Sequence, residues 1–354
     1  KGALILGKVN LSEWAYYFCD GCPVGYSAVG GQTLNPYGRR IFETGGSSSG
    51  SAVAVAANYA VAALGSETSG SILSPSSQNA IVGLKPTIGL VSRTGIVPIS
   101  STLDTSGPMT KSIVDNAILL DAIAAPDAQD AITKRVPRIM SLTDSYVEPS
   151  LSGVRLGAMT NILAADSLYR KAVEDLRAAG AEVIEFTPEK TALTGFSSIL
   201  NGDMKRDIPM YFKNSSTADY ATIDVTTIID YNKRDSVLYM PYSQERLDGV
   251  INDSITEAGL EKTISQLNAA ASGFFETPIN KYQLDAILSK NNYYAGHAAI
   301  AFYPCLTVPM GYSAEGEPAN LTFMAPSFSE EKLLMLGAAY ENISNHRKSP
   351  KGYQ

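Results

Sequence analysis

The chain has 354 residues, with 28 Lys or Arg, 35 Asp or Glu and two His, for a net charge of −7. At 45% apolar and 18% charged residues it is long enough to bury a sizeable core and unlike a disordered chain. The acidic balance excludes the basic footprint of a nucleic-acid binder, and no run of about 18 apolar residues marks a membrane span.

Residues 2–9 form an apolar run around Ala3, Leu4, Ile5 and Leu6 that reads as a buried strand. No Met or leader precedes it, so the run reads as the interior of a longer protein, and a signal peptide could have gone with the missing part. Residues 11–18 read as a short helix with Ser12 as N-cap and Glu13 in its first turn. Residues 20–50 are rich in Gly, Pro, Asn and Ser and read as loop. An uncharged, small-residue helix over 51–64 should be buried on all sides. Residues 65–80 return to Gly and Ser, and short strands at 81–84 and 88–92 flank Lys85-Pro86. A helix over 112–124 starts at Ser112 and ends near Pro126. The polar stretch 125–152, with Pro126, Pro137 and Pro149, suits a long connection. A β-α-β unit follows: a strand at 154–159, a helix over 166–179 closed by Gly180, and a strand at 182–186. Residues 195–275 are mostly helical by period, 286–289 and 304–309 read as strands, and 329–346 is a helix with Ser329 as N-cap. Alternating strands and helices point to an α/β sheet covered by helices.

Residues 2–9 nearly match a phosphate-binding loop. Val9 stands where a hydroxyl would have to reach magnesium, which removes the match. Three cysteines and two histidines are too few for a disulfide scaffold or a zinc site, so no metal is expected. Cys19-Asp-Gly-Cys22 has no second pair and no strand leading into it, and reads as two loop thiols without function. His297, in an Ala- and Gly-rich apolar stretch, and His346, in a last helical turn, both read as structural. Gly46-Ser47-Ser48-Ser49-Gly50 fits the nucleophile-elbow pattern, but the residues before it are loop-like rather than a strand.

The clusters Gly45–Ser51 and Gly65–Ser71 carry more. Two Gly- and Ser-rich turns bracket a buried helix. Glycine lets backbone approach closely, and a helix start at Ser51 offers free N–H groups and a positive dipole end, which suits an oxyanion.

With their neighbours, these clusters resemble the amidase signature family. Gly7-Lys8-Val9-Asn10 is similar to its G-K-T-N, and Asn35-Pro36 precedes the first cluster as N-P precedes G-G-S-S-x-G. Leu64–Ile72 resembles L-G-T-[DE]-T-x-G-S-I, and Val82–Thr87 and Leu103–Pro108 continue the series. The stretch 91–100 resembles the peptide amidase branch; Tyr303–Pro309 and Ser329-Glu330-Glu331 fit more loosely.

The resemblance implies a mixed, twisted sheet with helices on both faces, in one domain over 1–354. A signature core at 1–124, a divergent pocket region at 125–300 and a closing strand and helix at 301–354 would make it up. It implies hydrolysis of a peptide or small-molecule amide by a Ser–cis-Ser–Lys triad without cofactor, as a monomer or homodimer. By motif position Ser71 is the nucleophile and Ser47 the bridging serine, preceded by a cis peptide bond. The N–H groups of Thr68, Ser69, Gly70 and Ser71 form the oxyanion hole.

The chain departs from the family in two places. The base lysine belongs to a K-D-N-type motif that these residues do not contain, since Lys8 and Lys85 match other positions. Leu73 stands where many members carry an Arg that can pair with the acid at Glu67, and the peptide amidase branch shares that loss. Two alternatives stay open: a glutaminase-type amidotransferase subunit delivering ammonia to a partner, and an amidase-like binding protein without a base. Compartment is open, with the cytoplasm favoured.

Overall fold

The structure is a computed structural model that describes residues 2–135, 150–215 and 217–353. Half of the connection predicted over 125–152, residues 136–149, therefore lies outside the described residues.

A short ribbon of β1 (Tyr26–Ser27) and β2 (Gly31–Gln32) precedes α1 (Ser49–Ala56), β3 (Ala62–Glu67), α2 (Leu73–Gln78) and β4 (Val82–Lys85). Then come β5 (Thr105–Thr110), α3 (Ile113–Ile123), β6 (Arg155–Met159), α4 (Thr160–Ala165), α5 (Ser167–Ala178) and β7 (Glu182–Phe186). A helical stretch holds α6 (Phe196–Ser215), α7 (Val225–Asn232), α8 (Ser236–Tyr239), α9 (Glu245–Asn252) and α10 (Glu257–Tyr282). The chain closes with β8 (Ala286–Lys290), α11 (Ala295–Ile300), β9 (Cys305–Tyr312), β10 (Pro318–Met324) and α12 (Glu330–Ser344).

Eight strands form one mixed sheet in the order β3-β5-β4-β9-β10-β8-β6-β7. Pairings from β3 to β8 are antiparallel, and β8-β6 and β6-β7 are parallel. Alternation along β9 shows helices on both faces, because successive side chains point to opposite sides. Leu306 and Val308 meet Gly337 of α12, while the hydroxyl of Thr307 lies 3.2 Å from that of Ser77 in α2. The central strands β4, β9 and β10 are buried nearly throughout.

The β-α-β unit forms as its pattern predicts: Asp166 caps α5 by accepting the Tyr169 N–H, and Ser112 caps α3 by accepting that of Asp115. Elsewhere the structure departs from the sequence reading. Residues 2–9 form no strand, and Leu4, Ile5 and Leu6 are 90%, 92% and 77% exposed. An apolar run becomes a strand only where a neighbouring ladder accepts it, and none does here. The helix read over 11–18 is a single 3₁₀ turn, Glu13–Tyr16, and the Ser12 hydroxyl accepts the Gly25 N–H instead of capping it. The helix read over 51–64 stops at Ala56. Asn58 turns left-handed (φ 62°) and the same apolar run continues as β3. Residues 88–92 form isolated bridges, Ile88 with Val91 and Val91 with Ala124, rather than a strand. The reading also missed β5 and β10.

Candidate active site

The fold interlaces the two Gly/Ser clusters at one end of β3. Ser48 donates its N–H to the Ser71 carbonyl (3.1 Å), and its hydroxyl both donates to the carbonyl of Ser66 and accepts the N–H of Ser66 (3.1 Å each). Ser51 Oγ donates to the Leu64 carbonyl at 2.8 Å, and Ser106 Oγ to that of Gly65 at 2.9 Å. Gly45 has φ +64°, and a Cβ there would lie 2.7 Å from the Pro75 backbone, so only glycine lets the first turn sit against α2. The Gly46–Ser47 peptide bond is cis, and Ser47 is 1% exposed.

Two buried carboxylates hold the turn after β3. Glu67 accepts the N–H groups of Gly70 (2.7 Å), Ile72 (2.7 Å) and Leu73 (3.0 Å). Burial pushes its carboxyl above the ordinary range, and the charge of buried Lys85 with those three N–H groups pulls it back. Asp104 accepts the Thr68 hydroxyl (2.5 Å) and the N–H groups of Ile99 and Ser100 (2.9 Å each). Burial raises its carboxyl to about 6 against those bonds.

The N–H groups of Thr68, Ser69 and Ser71 are left without a protein acceptor among the described residues. That of Gly70 is not: it is turned onto Glu67, which removes it from the four implied by the resemblance. The start of α1, read as an oxyanion site, is also occupied internally. Gly50 donates its N–H to Asn10 (3.0 Å) and Ser48 to Ser71.

A cavity of about 360 Å³ opens over this turn. Its floor is Gly46, Thr68–Ser71 and Ser74; Ala15, Tyr16, Tyr17 and Val24 make one wall, and Ile99, Phe196, Ser197 and Leu200 another. Glu43, Arg246 and Asn292 complete it. Ser71 is half-buried on the floor, and Ser47 lies beneath the lining. No hydrogen bond joins their hydroxyls, and no lysine lines the cavity, among the described residues. Lys85 is fully buried outside it, with Nζ 3.4 Å from the Pro86 carbonyl.

A family profile described as Amidase matches residues 1–218. The chain belongs to the amidase family. Amide hydrolysis is the activity that goes with this membership. A probable amidase of Arabidopsis thaliana is 34% identical over 367 residues, covering 99% of this chain and 70% of that protein. The crystal structure of the peptide amidase of Stenotrophomonas maltophilia superposes with a TM-score of 0.92 at 36% identity, over 99% of this chain and 75% of that one. A glutamyl-tRNA(Gln) amidotransferase subunit of Thermotoga maritima superposes with a TM-score of 0.70 at 26% identity, over 98% and 75%. The chain spans 65% to 70% of the length of three curated amidases that it matches.

Neither histidine of this amidase lines the cavity. His297 Nε2 lies 3.0 Å from the Thr191 carbonyl, its ring packs on Phe274, and burial lowers its pKa. His346, read in a last helical turn, lies beyond the end of α12 at Ser344, with its pKa likewise lowered, chiefly by burial. Cys19 and Cys22, read as two free thiols, are joined by a disulfide. Among the described residues no cluster of His, Cys, Asp or Glu is placed to hold a metal, and no helix is long and apolar enough to cross a membrane.

The reading by motif did not give roles to Asp104, Tyr16 or Tyr17. Asp104 stood inside a quoted motif, and the signal for it was an acid in an otherwise apolar and hydroxyl-bearing run. Tyr16 and Tyr17 carried no signal, because an amphipathic turn and a pocket wall look alike in sequence.

Proposed function

We propose that this amidase hydrolyses peptide or small-molecule carboxamides by a relay running from Ser71 through Ser47 to a lysine. One observation carries the reading: Ser71 sits on the cavity floor in a turn whose N–H groups at Thr68, Ser69 and Ser71 have no protein acceptor among the described residues. Such donors fit the charge that develops on a carbonyl oxygen under attack. Ser71 Oγ adds to the amide carbon, and its proton passes through Ser47 to the base. A serine hydroxyl needs such a base to be nucleophilic, and another hydroxyl cannot be the final acceptor. The lysine is the one the resemblance places in a motif these 354 residues do not contain. The C–N bond then breaks, the relay returns the proton to the leaving ammonia, and water hydrolyses the acyl-enzyme.

The closer fit to the peptide amidase than to the amidotransferase subunit supports free amides as substrates. The test is ammonia release from peptide amides by the full-length protein and its Ser71→Ala variant. We expect the variant to lose activity by about a thousandfold or more. Retention of more than about 1% of the rate would overturn the nucleophile assignment. The amidotransferase reading predicts glutamine hydrolysis that depends strictly on a partner, which the same ammonia assay detects.

A further inference from the structure

The wall facing Ser71 is built on unusual backbone. Trp14, Ala15 and Tyr16 have φ of 48°, 52° and 69°, three consecutive non-glycine residues in the left-handed region. Such a run persists only where its surroundings over-determine it. At its start, Ser12 donates its N–H to the Ser47 carbonyl (3.0 Å) and accepts the Gly25 N–H (2.8 Å). At its end, the Tyr16 hydroxyl donates to the Cys22 carbonyl (3.0 Å), and that of Tyr17 to Asn201 Oδ1 (2.7 Å). Arg246 donates its N–H to the Phe18 carbonyl (3.2 Å) and pairs with Asp20 at 2.8 Å.

The Cys19–Cys22 disulfide closes this second end, with its Cα atoms 5.6 Å apart. Cys19 is 1% exposed and belongs to the main core, whereas Cys22 is partly exposed beside the exposed Asp20 and Gly21. The bond therefore ties the carbonyl that receives Tyr16 to a fixed point of the core. We propose that the Cys19–Cys22 disulfide is a clamp that positions the Tyr16–Tyr17 wall, so that tight binding of amides whose acyl group reaches this wall requires the bond to be intact. This rests on the reading of Ser71 and its cavity as the hydrolytic site. The floor does not share the dependence, because Glu67 and Asp104 hold it through other bonds.

Release is a thiol–disulfide exchange. A dithiol such as dithiothreitol attacks the sulfur of Cys22, the less buried of the two, the S–S bond takes up two electrons and two protons, and the reagent leaves as its cyclic disulfide. Cys305 is fully buried and takes no part.

The test compares the full-length enzyme, oxidised and dithiothreitol-reduced, on a small aliphatic amide and on a dipeptide amide with an aromatic residue. On reduction we expect KM for the dipeptide amide to rise about tenfold, the scale of one lost hydrogen bond, with kcat little changed. The small amide should stay within about twofold, since it does not reach the wall. The Cys19→Ser/Cys22→Ser double variant should match the reduced enzyme and ignore the reductant. Unchanged KM on reduction would overturn the clamp, as would an equal loss on both substrates, which marks a general stabiliser. If the oxidised enzyme hydrolyses neither amide, the hydrolytic reading fails, and hydrogen exchange over 13–22 decides the clamp. Faster exchange after reduction supports it, and unchanged exchange overturns it.

Discussion

The floor and the wall of the cavity are held by different means. The floor is a turn between β3 and α2, fixed by two buried carboxylates that together accept five backbone N–H groups and one hydroxyl. The wall over 14–17 hangs on backbone bonds at Ser12 and Phe18, the hydroxyl bonds of Tyr16 and Tyr17 and one disulfide, with left-handed backbone between its anchors. A buried carboxyl bonded on several sides fixes atoms closely, and side chains held by fewer bonds are fixed less closely. On the proposed reading, the floor places the reacting carbonyl and the wall accommodates what is attached to it. Substitutions in the floor should then lower kcat, and substitutions in the wall should raise KM.

The largest effect within the floor is expected at Glu67. Glu67→Ala removes the acceptor of three N–H groups and leaves buried Lys85 without its nearby opposite charge. Leaving buried polar groups without an acceptor costs roughly 1–3 kcal/mol each, so the melting temperature should drop clearly. Glu67→Gln keeps the shape but replaces one accepting oxygen with a donor, so it should fold better and still lose about a hundredfold in kcat. A Glu67→Gln enzyme with unchanged kcat would remove the distinction between floor and wall.

Of the two Gly- and Ser-rich stretches, 45–48 and 68–72 are turns as read, but 49–51 belong to α1, 65–67 to β3 and 73–78 to α2, which the loop read over 65–80 missed. Helices α3, α5 and α12 were legible by their period, although Ser329 precedes α12 without a side-chain cap bond. The run at 51–64 departs from the helix read there because Ala and Val without charge fit a buried helix and a strand equally, and left-handed Asn58, just past the C-cap Ala57, is the stop. Strand β10 was hidden for another reason. It is buried on both faces and carries Asn320 and Thr322, whose bonds to the Ile81 carbonyl (2.9 Å) and to Thr307 (2.8 Å) exist only after folding. The Gly70 N–H was misassigned likewise, since its bond to Glu67 depends on how the turn closes.

A smaller effect should come from pH at Asp104. Burial lifts its carboxyl from an ordinary 3.8 to about 6, so between those values the folded chain binds more protons than the unfolded one. Stability contributed by this group is therefore full below about 4 and declines as pH rises to about 6. Chemical denaturation of wild type and Asp104→Asn between roughly pH 3.5 and 7 should show this decline missing from the variant. An unchanged slope would mean that Asp104 is solvated and that the floor has one buried carboxylate rather than two.

The smallest effect belongs to the wall. The Tyr17 hydroxyl is held protonated well above neutral pH, because burial pushes its pKa up to about 12. Throughout the working range it thus donates to Asn201 Oδ1 at 2.7 Å, a bond that joins the wall to α6. Tyr17→Phe keeps the ring under the Arg246 guanidinium and removes the hydroxyl with its bond to Asn201 and its longer contact with the Ser197 carbonyl (3.3 Å). The expected loss is about 1 kcal/mol, or roughly fivefold, in the affinity of an amide that touches the wall. It should appear in KM, with kcat near wild type, because Ser71 and the Glu67 and Asp104 anchors of its turn form no bond to Tyr17. A fall in kcat at constant KM would instead mean that the wall helps place the reacting carbonyl, and that the two sides of the cavity act as one unit.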